Sequence, residues 1–277
     1  MKMKWKEKSV LPGFGLSLGF TVFYLSLVVL LPLSALIIRS SEAGFSGFIA
    51  TLSQPRVLAA FRVTFSSALQ AAVINVVLGS IVAWFLVRGR FPLNRLVDAV
   101  VDLPFALPTA VSGIALTALV APTAPLGAFL AEHGLPIAFT PRGITLAMIF
   151  VGLPFVIRNV QPALADLSRE LEEASNSLGA TRLQTLTRVM LPLLAPSLLS
   201  GFTLAFSRAL GEYGSVVFIA GNLPMKTEIA SLLIITKLEQ FDTTGASVIA
   251  VALLALSFVA IFLINLLQAR TAKYFGN

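Results

Sequence analysis

An oppositely charged pair stands within an otherwise apolar stretch of the chain. Arg208 and Glu212 lie four residues apart, so on a helix they share one face and can form an ion pair. Either charge alone in hydrocarbon would cost about 3 kcal/mol on insertion scales. A guanidinium can donate two hydrogen bonds to an anion, which is one reason to keep the pair there. An internal ion pair that fixes one helix against its neighbours is an equally good reason, and the sequence leaves both open.

The polar stretch 158–192 holds the other residues whose spacing suggests a function. Its apolar side chains recur every three or four positions, which predicts an amphipathic helix; they are Leu164, Leu167, Leu171, Ala174 and Leu178. Gly179 follows, as a glycine does where the chain leaves a helix in the left-handed region. Thr181 can then cap a second short helix. The first helix has an acidic polar face, which favours a protein groove over lipid headgroups as its docking site, with headgroups as the alternative.

Most kinds of catalysis are excluded by residues that the chain lacks. It has 277 residues with no Cys and one His, His133, which with Glu132 alone cannot form a metal site or a nucleophilic triad. No G-x-x-x-x-G-K-[ST] sequence is present to hold ATP phosphates. Charged residues make up 12% of the chain, against about a quarter in soluble domains, so a soluble globular enzyme is excluded. We expect no cofactor and no catalytic residue on this chain.

Six apolar blocks must position these residues. Four have no charge and exceed the roughly 20 residues that a membrane-spanning helix needs: 9–38, 63–87, 103–131 and 243–269. Block 143–157 is shorter, but Arg142 and Arg158 can snorkel outward from its ends. The block that begins at Val189 continues through the charged pair to Ala220. We therefore predict an all-α membrane protein with six transmembrane helices.

The placement of Lys and Arg predicts the orientation. With the N-terminus inside, thirteen of them face the cytoplasm, against six on the outer side: Arg39, Arg56, Arg62, Arg142, Lys226 and Lys237. Both termini are then cytoplasmic. The cations on that side account for the net charge of +7, so nucleic-acid binding is not needed to explain it. We divide the chain into a tail, first helix and outer loop (1–59), a five-helix core (60–269) with a cytoplasmic loop (162–192), and a C-terminal tail (270–277). The outer charges Lys226, Glu228 and Lys237 are expected to be solvated.

The cytoplasmic loop resembles the EAA loop of ABC-importer permeases, which reads E-A-A, three residues, Gly, nine residues, Ile, any residue, Leu-Pro. This chain keeps the spacing, with Ser175 in place of the second Ala and Val189 in place of Ile. The resemblance implies a type I importer permease of MetI-like fold, in which this loop is a coupling helix seated in a cleft of an ATPase subunit. The implied coupling residues are Glu173, Ala174, Ser175, Gly179, Ala180 and Thr181.

Segments 102–113 and 207–222 resemble the sulfate and molybdate branch of these permeases. Segments 10–14, 31–36 and 238–242 resemble the T-type permeases of sulfate/thiosulfate importers. This resemblance implies a bacterial inner-membrane subunit that pairs with a W-type permease on a dimer of ABC ATPases. A periplasmic or lipid-anchored binding protein would deliver sulfate or thiosulfate, and the ATPase would hold ATP and magnesium. Molybdate permeases are usually shorter and lack the extra N-terminal helix. A molybdate or tungstate permease is the nearest alternative, and a secondary anion transporter is a more distant one.

On this interpretation four residues become candidates for the translocation pathway. Arg208 would contact the oxyanion, with its charge partly neutralised by Glu212. Thr109 and Ser112 could offer hydroxyls to the anion, although each could equally bond its own helix backbone. Pro104 and Pro108 either interrupt this third block, as in transporters that expose backbone to a cavity, or only kink it.

Overall fold

The computed structural model gives residues 13–89 and 92–275, with side chains as far as Gln268. Several residues used for the orientation and the resemblance lie outside this description: residues 10–12, Lys2, Lys4, Lys6, Lys8 and Arg90, and the side chains of Arg270 and Lys273. The described residues form helices joined by short turns.

The helices have the following bounds, with α1 and α9 each containing one π-helical turn: α1 Phe14–Ser41, α2 Gly44–Leu52, α3 Pro55–Arg88, α4 Asn94–Ala106, α5 Thr109–Val120, α6 Pro125–Glu132, α7 Pro141–Asp166, α8 Arg169–Ser177, α9 Arg182–Leu210, α10 Val216–Ile219, α11 Ala230–Glu239 and α12 Thr243–Phe275. Five of them, α1, α3, α7, α9 and α12, are long and apolar enough to cross a membrane. This confirms the all-helical membrane class.

The third predicted span is not one straight helix. Helices α4 and α5 are bent by 113° relative to each other, so the chain has six spans only if this pair counts as one. Leu107 is extended (ψ 134°) because a residue that precedes proline avoids the helical region, and Pro108 has no N–H to continue the ladder. Of the two alternatives for Pro104 and Pro108, the structure shows an interruption of this block, and α6 is a separate helix at the end of the predicted range 103–131.

Two predicted boundaries were wrong. Helix α9 begins at Arg182 and ends at Leu210, so the predicted continuation to Ala220 is instead a turn followed by α10. The predicted amphipathic helix over 164–178 is divided, because Leu164 belongs to α7. The side chain of Ser168 then accepts a hydrogen bond from the N–H of Glu170 and starts α8 anew. Helix α7 has 26 residues and is long enough to span without help from its flanking arginines.

Helices α3, α7 and α9 form the centre of the fold, and they pack through small residues. A Cβ at Gly79 of α3 would lie 2.9 Å from Val156 of α7, and a Cβ at Gly201 of α9 would lie 3.0 Å from the Cα of that valine. Such contacts allow helices to approach closely where lipid supplies no hydrophobic drive. Helix α1 differs, because none of the residues in its most apolar stretch is buried within this chain.

Candidate functional site

The loop between α7 and α9 folds as helix, tight turn and helix. Gly179 has φ 80°, so the chain leaves α8 in the left-handed region as predicted. The hydroxyl of Thr181 accepts from the N–H of Gln184, whose side-chain oxygen accepts from the N–H of Thr181. This reciprocal capping box confirms the predicted cap of the second helix. The left-handed Gly179 and the Thr181 capping box thus fix the turn through residues close to them in the chain.

A buried contact fastens the two arms of this loop together. The hydroxyls of Ser175 in α8 and Thr185 in α9 are hydrogen-bonded and both buried, and the N–H of Ala180 donates to the carbonyl of Ser175. Ser175 therefore faces α9, whereas Glu173 and Ala174 face outward. Four of the six predicted coupling residues are exposed, Ala180 is half-buried and Ser175 holds the turn in shape.

The tip of this loop exposes apolar side chains next to carboxylates. Leu178 is 89% exposed and Leu183 is 69% exposed, one on each side of Gly179. Glu170 and Glu173 are exposed on α8. We call these four residues with Gly179 the coupling surface, after the role that the resemblance of this loop implies. Its mixture of leucine and carboxylate suits a protein groove that carries apolar and basic residues.

An ion pair that the sequence did not reveal links this loop to α3. The Nη2 of Arg88, the last residue of α3, lies 3.0 Å from Oε1 of Glu172 and donates to the carbonyl of Leu167 at 2.8 Å. Arg88 is only 13% exposed. The sequence predicted only that Arg88 is a cytoplasmic cation. Its partner lies far along the chain, so no local pattern could indicate the pair.

An apolar cavity of about 800 Å³ lies between this loop and the helices above it. Its walls come from the parts of α3, α7 and α9 nearest the loop, including Ile81, Trp84, Leu164, Leu194 and Leu198. Arg182, Glu172 and Asn176 of the loop also line it. A change in the position of the loop would therefore alter the packing of three core helices at once.

The second predicted group lies at the opposite end of α9. Nη1 of Arg208 is 2.7 Å from Oε2 of Glu212, so the predicted ion pair forms even though the helix has ended between them. Glu212 is 1% exposed, and its Oε1 accepts from both the N–H and the hydroxyl of Ser215 at 2.9 Å. Arg208 is 34% exposed. The buried carboxylate is thus fully bonded, while the arginine keeps an accessible face.

The start of α5 packs against the turn that carries Glu212. A Cβ at Gly214 would lie 2.2 Å from the hydroxyl oxygen of Thr109, and a Cβ at Gly113 would lie 2.4 Å from the carbonyl oxygen of Ser215. Thr109 therefore lies beside this turn. Ser112 is buried, and its hydroxyl is 3.4 Å from the carbonyl of Pro108 in its own helix.

Two expectations about charged residues were wrong. Arg158 does not snorkel outward, because its guanidinium donates to both oxygens of Asp102 at 2.9 and 2.6 Å and to Asp98 at 2.7 Å. Glu228 is not solvated, because it is 1% exposed and accepts two hydrogen bonds from Arg56 at 2.7 Å. Each pair joins segments that are far apart in the chain, so their spacing gave no signal.

The remaining outer residues behave more simply. Lys226 is exposed as expected, whereas Lys237 pairs with Asp242 at 2.8 Å. His133 is exposed and contacts the carbonyl of Phe129. Within residues 13–89 and 92–275 no group of three His, Asp or Glu side chains is arranged to hold a metal.

Comparison with known proteins identifies relatives along nearly the whole chain. Residues 75–273 match the family described as "Binding-protein-dependent transport system inner membrane component". The sulfate transport system permease protein CysT of Salmonella typhimurium is 47% identical over 96% of both chains. The protein of the same name in Escherichia coli is 46% identical with the same coverage, and that of Synechocystis is 47% identical over 92% of this chain and 89% of its own.

Solved structures share the fold at lower sequence identity. A chain of a bacterial alginate ABC transporter, crystallised with a periplasmic protein that holds an alginate pentasaccharide, superposes with a TM-score of 0.73 at 16% identity and covers 94% of each chain. A chain of the MetNI methionine ABC transporter, in an inward-facing conformation, gives a TM-score of 0.57 at 21% identity and covers 80% of this chain and 99% of its own.

Proposed function

This chain belongs to the family of binding-protein-dependent transport system inner membrane components, and on that premise we propose that it is a permease subunit of an ATP-driven importer of sulfate and thiosulfate. The observation that carries the proposal is identity of 46–47% to sulfate permeases over almost the entire length. No relative described above is a molybdate permease, so molybdate or tungstate is not favoured as the substrate. The same relatives argue against a secondary anion transporter.

The subunit spans the inner membrane several times and leaves ATP hydrolysis to another chain. It lacks a phosphate-binding G-x-x-x-x-G-K-[ST] sequence. The proposed complex contains a W-type permease, a dimer of ABC ATPases that binds ATP and magnesium, and a periplasmic or lipid-anchored sulfate-binding protein. Both termini face the cytoplasm in this arrangement, residues 60–269 form the permease core, and 1–59 are an appendage to it.

The coupling surface docks in the cleft of the ATPase. Glu173 and Gly179 of this surface provide the contact together with the neighbouring Ala174, Ala180 and Thr181, and Ser175 holds the turn through its buried hydroxyl bond. Movement of the surface passes directly into α9, since this helix starts in the loop and runs on to Leu210. It also passes into α3 through the contacts of Arg88. Two core helices thus follow the state of the ATPase, which is what alternating access requires.

The anion passes near the turn that joins α9 to α10. Arg208 offers its exposed face to the oxyanion, while Glu212 is held by Ser215 and lowers the net charge there. Such partial neutralisation prevents tight binding, and tight binding would slow release. Thr109 supplies a hydroxyl beside this turn, and Ser112 supports the helix that carries it.

The test is ATP hydrolysis by the complete complex in proteoliposomes. We expect the sulfate-loaded binding protein to stimulate hydrolysis and molybdate to have no effect. The stimulation should be lost in Glu173→Arg, because reversing an exposed charge at the coupling surface opposes docking. Stimulation by molybdate alone would indicate a molybdate permease instead. Sulfate uptake that persists without the ATPase would indicate a secondary transporter.

A further inference from the structure

The outer end of α3 carries an arginine that lacks a carboxylate partner. The guanidinium of Arg62 forms no hydrogen bond or ion pair with the described residues. Arg56 lies six residues earlier, about 9 Å along the helix, and is neutralised by Glu228. Arg62 is exposed two turns after α3 begins at Pro55 and lies before the charge-free block 63–87, so its guanidinium is open to solutes from the aqueous side.

Arg62 lines an open cavity of about 520 Å³ between α3 and the start of α7. Apart from Ser66, the other lining residues are apolar, among them Leu58, Val63, Pro141 and Met225. Among the described residues, no carboxylate lines this cavity. A cation beside apolar walls attracts a mobile anion where no fixed carboxylate neutralises it.

Neighbouring charges strengthen this attraction. Arg142 and Lys226 directly follow the lining residues Pro141 and Met225, and Lys226 is exposed. The surroundings of the cavity are therefore positive. Along α3, Ser66 and Gln70 are exposed at intervals of four residues after Arg62, so a polar track leads from the cavity down one face of the helix.

We infer that Arg62 and its cavity form an entry subsite for a tetrahedral oxyanion on the outer side of the membrane. The inference rests on the proposed import of sulfate. The guanidinium replaces part of the hydration shell of the dianion through paired N–H donors. With a single cation and apolar walls the site holds the anion weakly, as a conduction site must. Arg208 is less available for this first contact, because the buried Glu212 already engages it.

A cysteine substitution tests the charge directly, since the chain contains no native Cys. Arg62→Cys is assembled in the complete complex in vesicles, and sulfate uptake is measured before and after reaction with a cationic aminoethyl or an anionic sulfonatoethyl thiosulfonate. We expect uptake to fall about tenfold or more, as for loss of a charge-assisted contact. The cationic reagent should restore most of it and the anionic reagent none. ATP hydrolysis stimulated by the binding protein should persist, which would show that the complex is folded.

Several results would overturn the inference. Uptake could be unchanged in Arg62→Cys, or the two reagents could have equal effects. Either reagent could fail to react, which would show that position 62 is not accessible. ATP hydrolysis could also fall in parallel with uptake and not recover with the cationic reagent. Arg95→Cys is the matched control, because Arg95 is exposed and lacks a described partner on α4. The wild type treated with each reagent controls for cysteines of the partner chains.

A lipid headgroup offers the same oxyanion chemistry to Arg62. Vesicles of phosphatidylcholine alone separate the two sources, because they contain no anionic lipid. If Arg62 only anchored anionic headgroups, Arg62→Cys and the wild type would transport equally in these vesicles, and the inference would fail. Absence of sulfate uptake by the wild type would instead refute the proposed function itself.

Discussion

The guanidinium of Arg88 lies 3.0 Å from the carboxylate of Glu172, and it joins the end of α3 to the loop that carries the coupling surface. The same nitrogen donates to the carbonyl of Leu167, where α7 ends and the loop begins. A single side chain therefore holds α3, the end of α7 and α8 together. Any displacement of the loop either moves α3 with it or breaks these contacts.

Replacement of Arg88 should uncouple ATP hydrolysis from transport. In Arg88→Ala we expect sulfate taken up per ATP hydrolysed to fall tenfold or more, because the variant loses the ion pair with Glu172 and a charge-assisted hydrogen bond to Leu167 worth about 1.5–3 kcal/mol. The measurement is uptake and hydrolysis in the same proteoliposomes. Arg169→Ala is the control, since Arg169 is exposed in the same loop and lacks a described partner. Equal losses in both variants would show that loop charge matters and the link to α3 does not.

A side chain at Gly179 should destabilise the turn without any steric clash. A Cβ there meets nothing within 4 Å, so the cost is that of holding φ at 80°, about 1–2 kcal/mol for alanine. Gly179→Asn should cost less, because asparagine tolerates this region. We expect less ATPase to copurify with Gly179→Ala. Gly211→Ala is the control at a helix end with negative φ and equal space, and it should assemble normally.

Removal of Arg208 should have two separable effects. Arg208→Ala leaves a buried carboxylate without its counter-charge, which costs about 3–5 kcal/mol in buried ion pairs and should lower thermal stability. Arg208→Ala with Glu212→Gln removes that charge and should recover stability. If Arg208 contacts the anion, sulfate uptake stays lost in the double variant. Normal uptake by a stable double variant would leave the arginine a structural role only.

Asp242 should make stability depend on acid pH. Hydrogen bonds from Lys237 and from the N–H of Gly245 hold the pKa of this carboxyl below its ordinary value of 3.8. A group with a lowered folded-state pKa stabilises the protein above its unfolded value, and this contribution is lost as the pH falls through the folded value. Asp242→Asn should therefore flatten the fall in thermal unfolding temperature below about pH 4. Glu239→Gln, at an exposed site three residues earlier, should leave that fall unchanged.

Local features of this protein could be read from the sequence alone. Hydropathy identified the membrane class, because a helix that crosses lipid needs about 20 mostly apolar residues, whichever helices it packs against. Gly179 and Thr181 marked the coupling turn, since a left-handed residue and a capping hydroxyl act within a few residues of themselves. The resemblance of the loop at 173–192 rested on the same short-range spacing. These signals needed no knowledge of which helices are neighbours.

The tertiary structure alone decided where the charges go. Helical periodicity gives the face on which Arg56, Arg88 or Arg158 lies, but only packing brings a carboxylate to that face; for Arg56 the carboxylate is 172 residues away. Packing also decided that α9 ends at Leu210, where the buried Glu212 bonds Ser215 and turns the chain. It left Arg62 without a partner among the described residues for the same reason. The free energy of a buried charge depends on the atoms around it in space, and the linear sequence does not order those atoms.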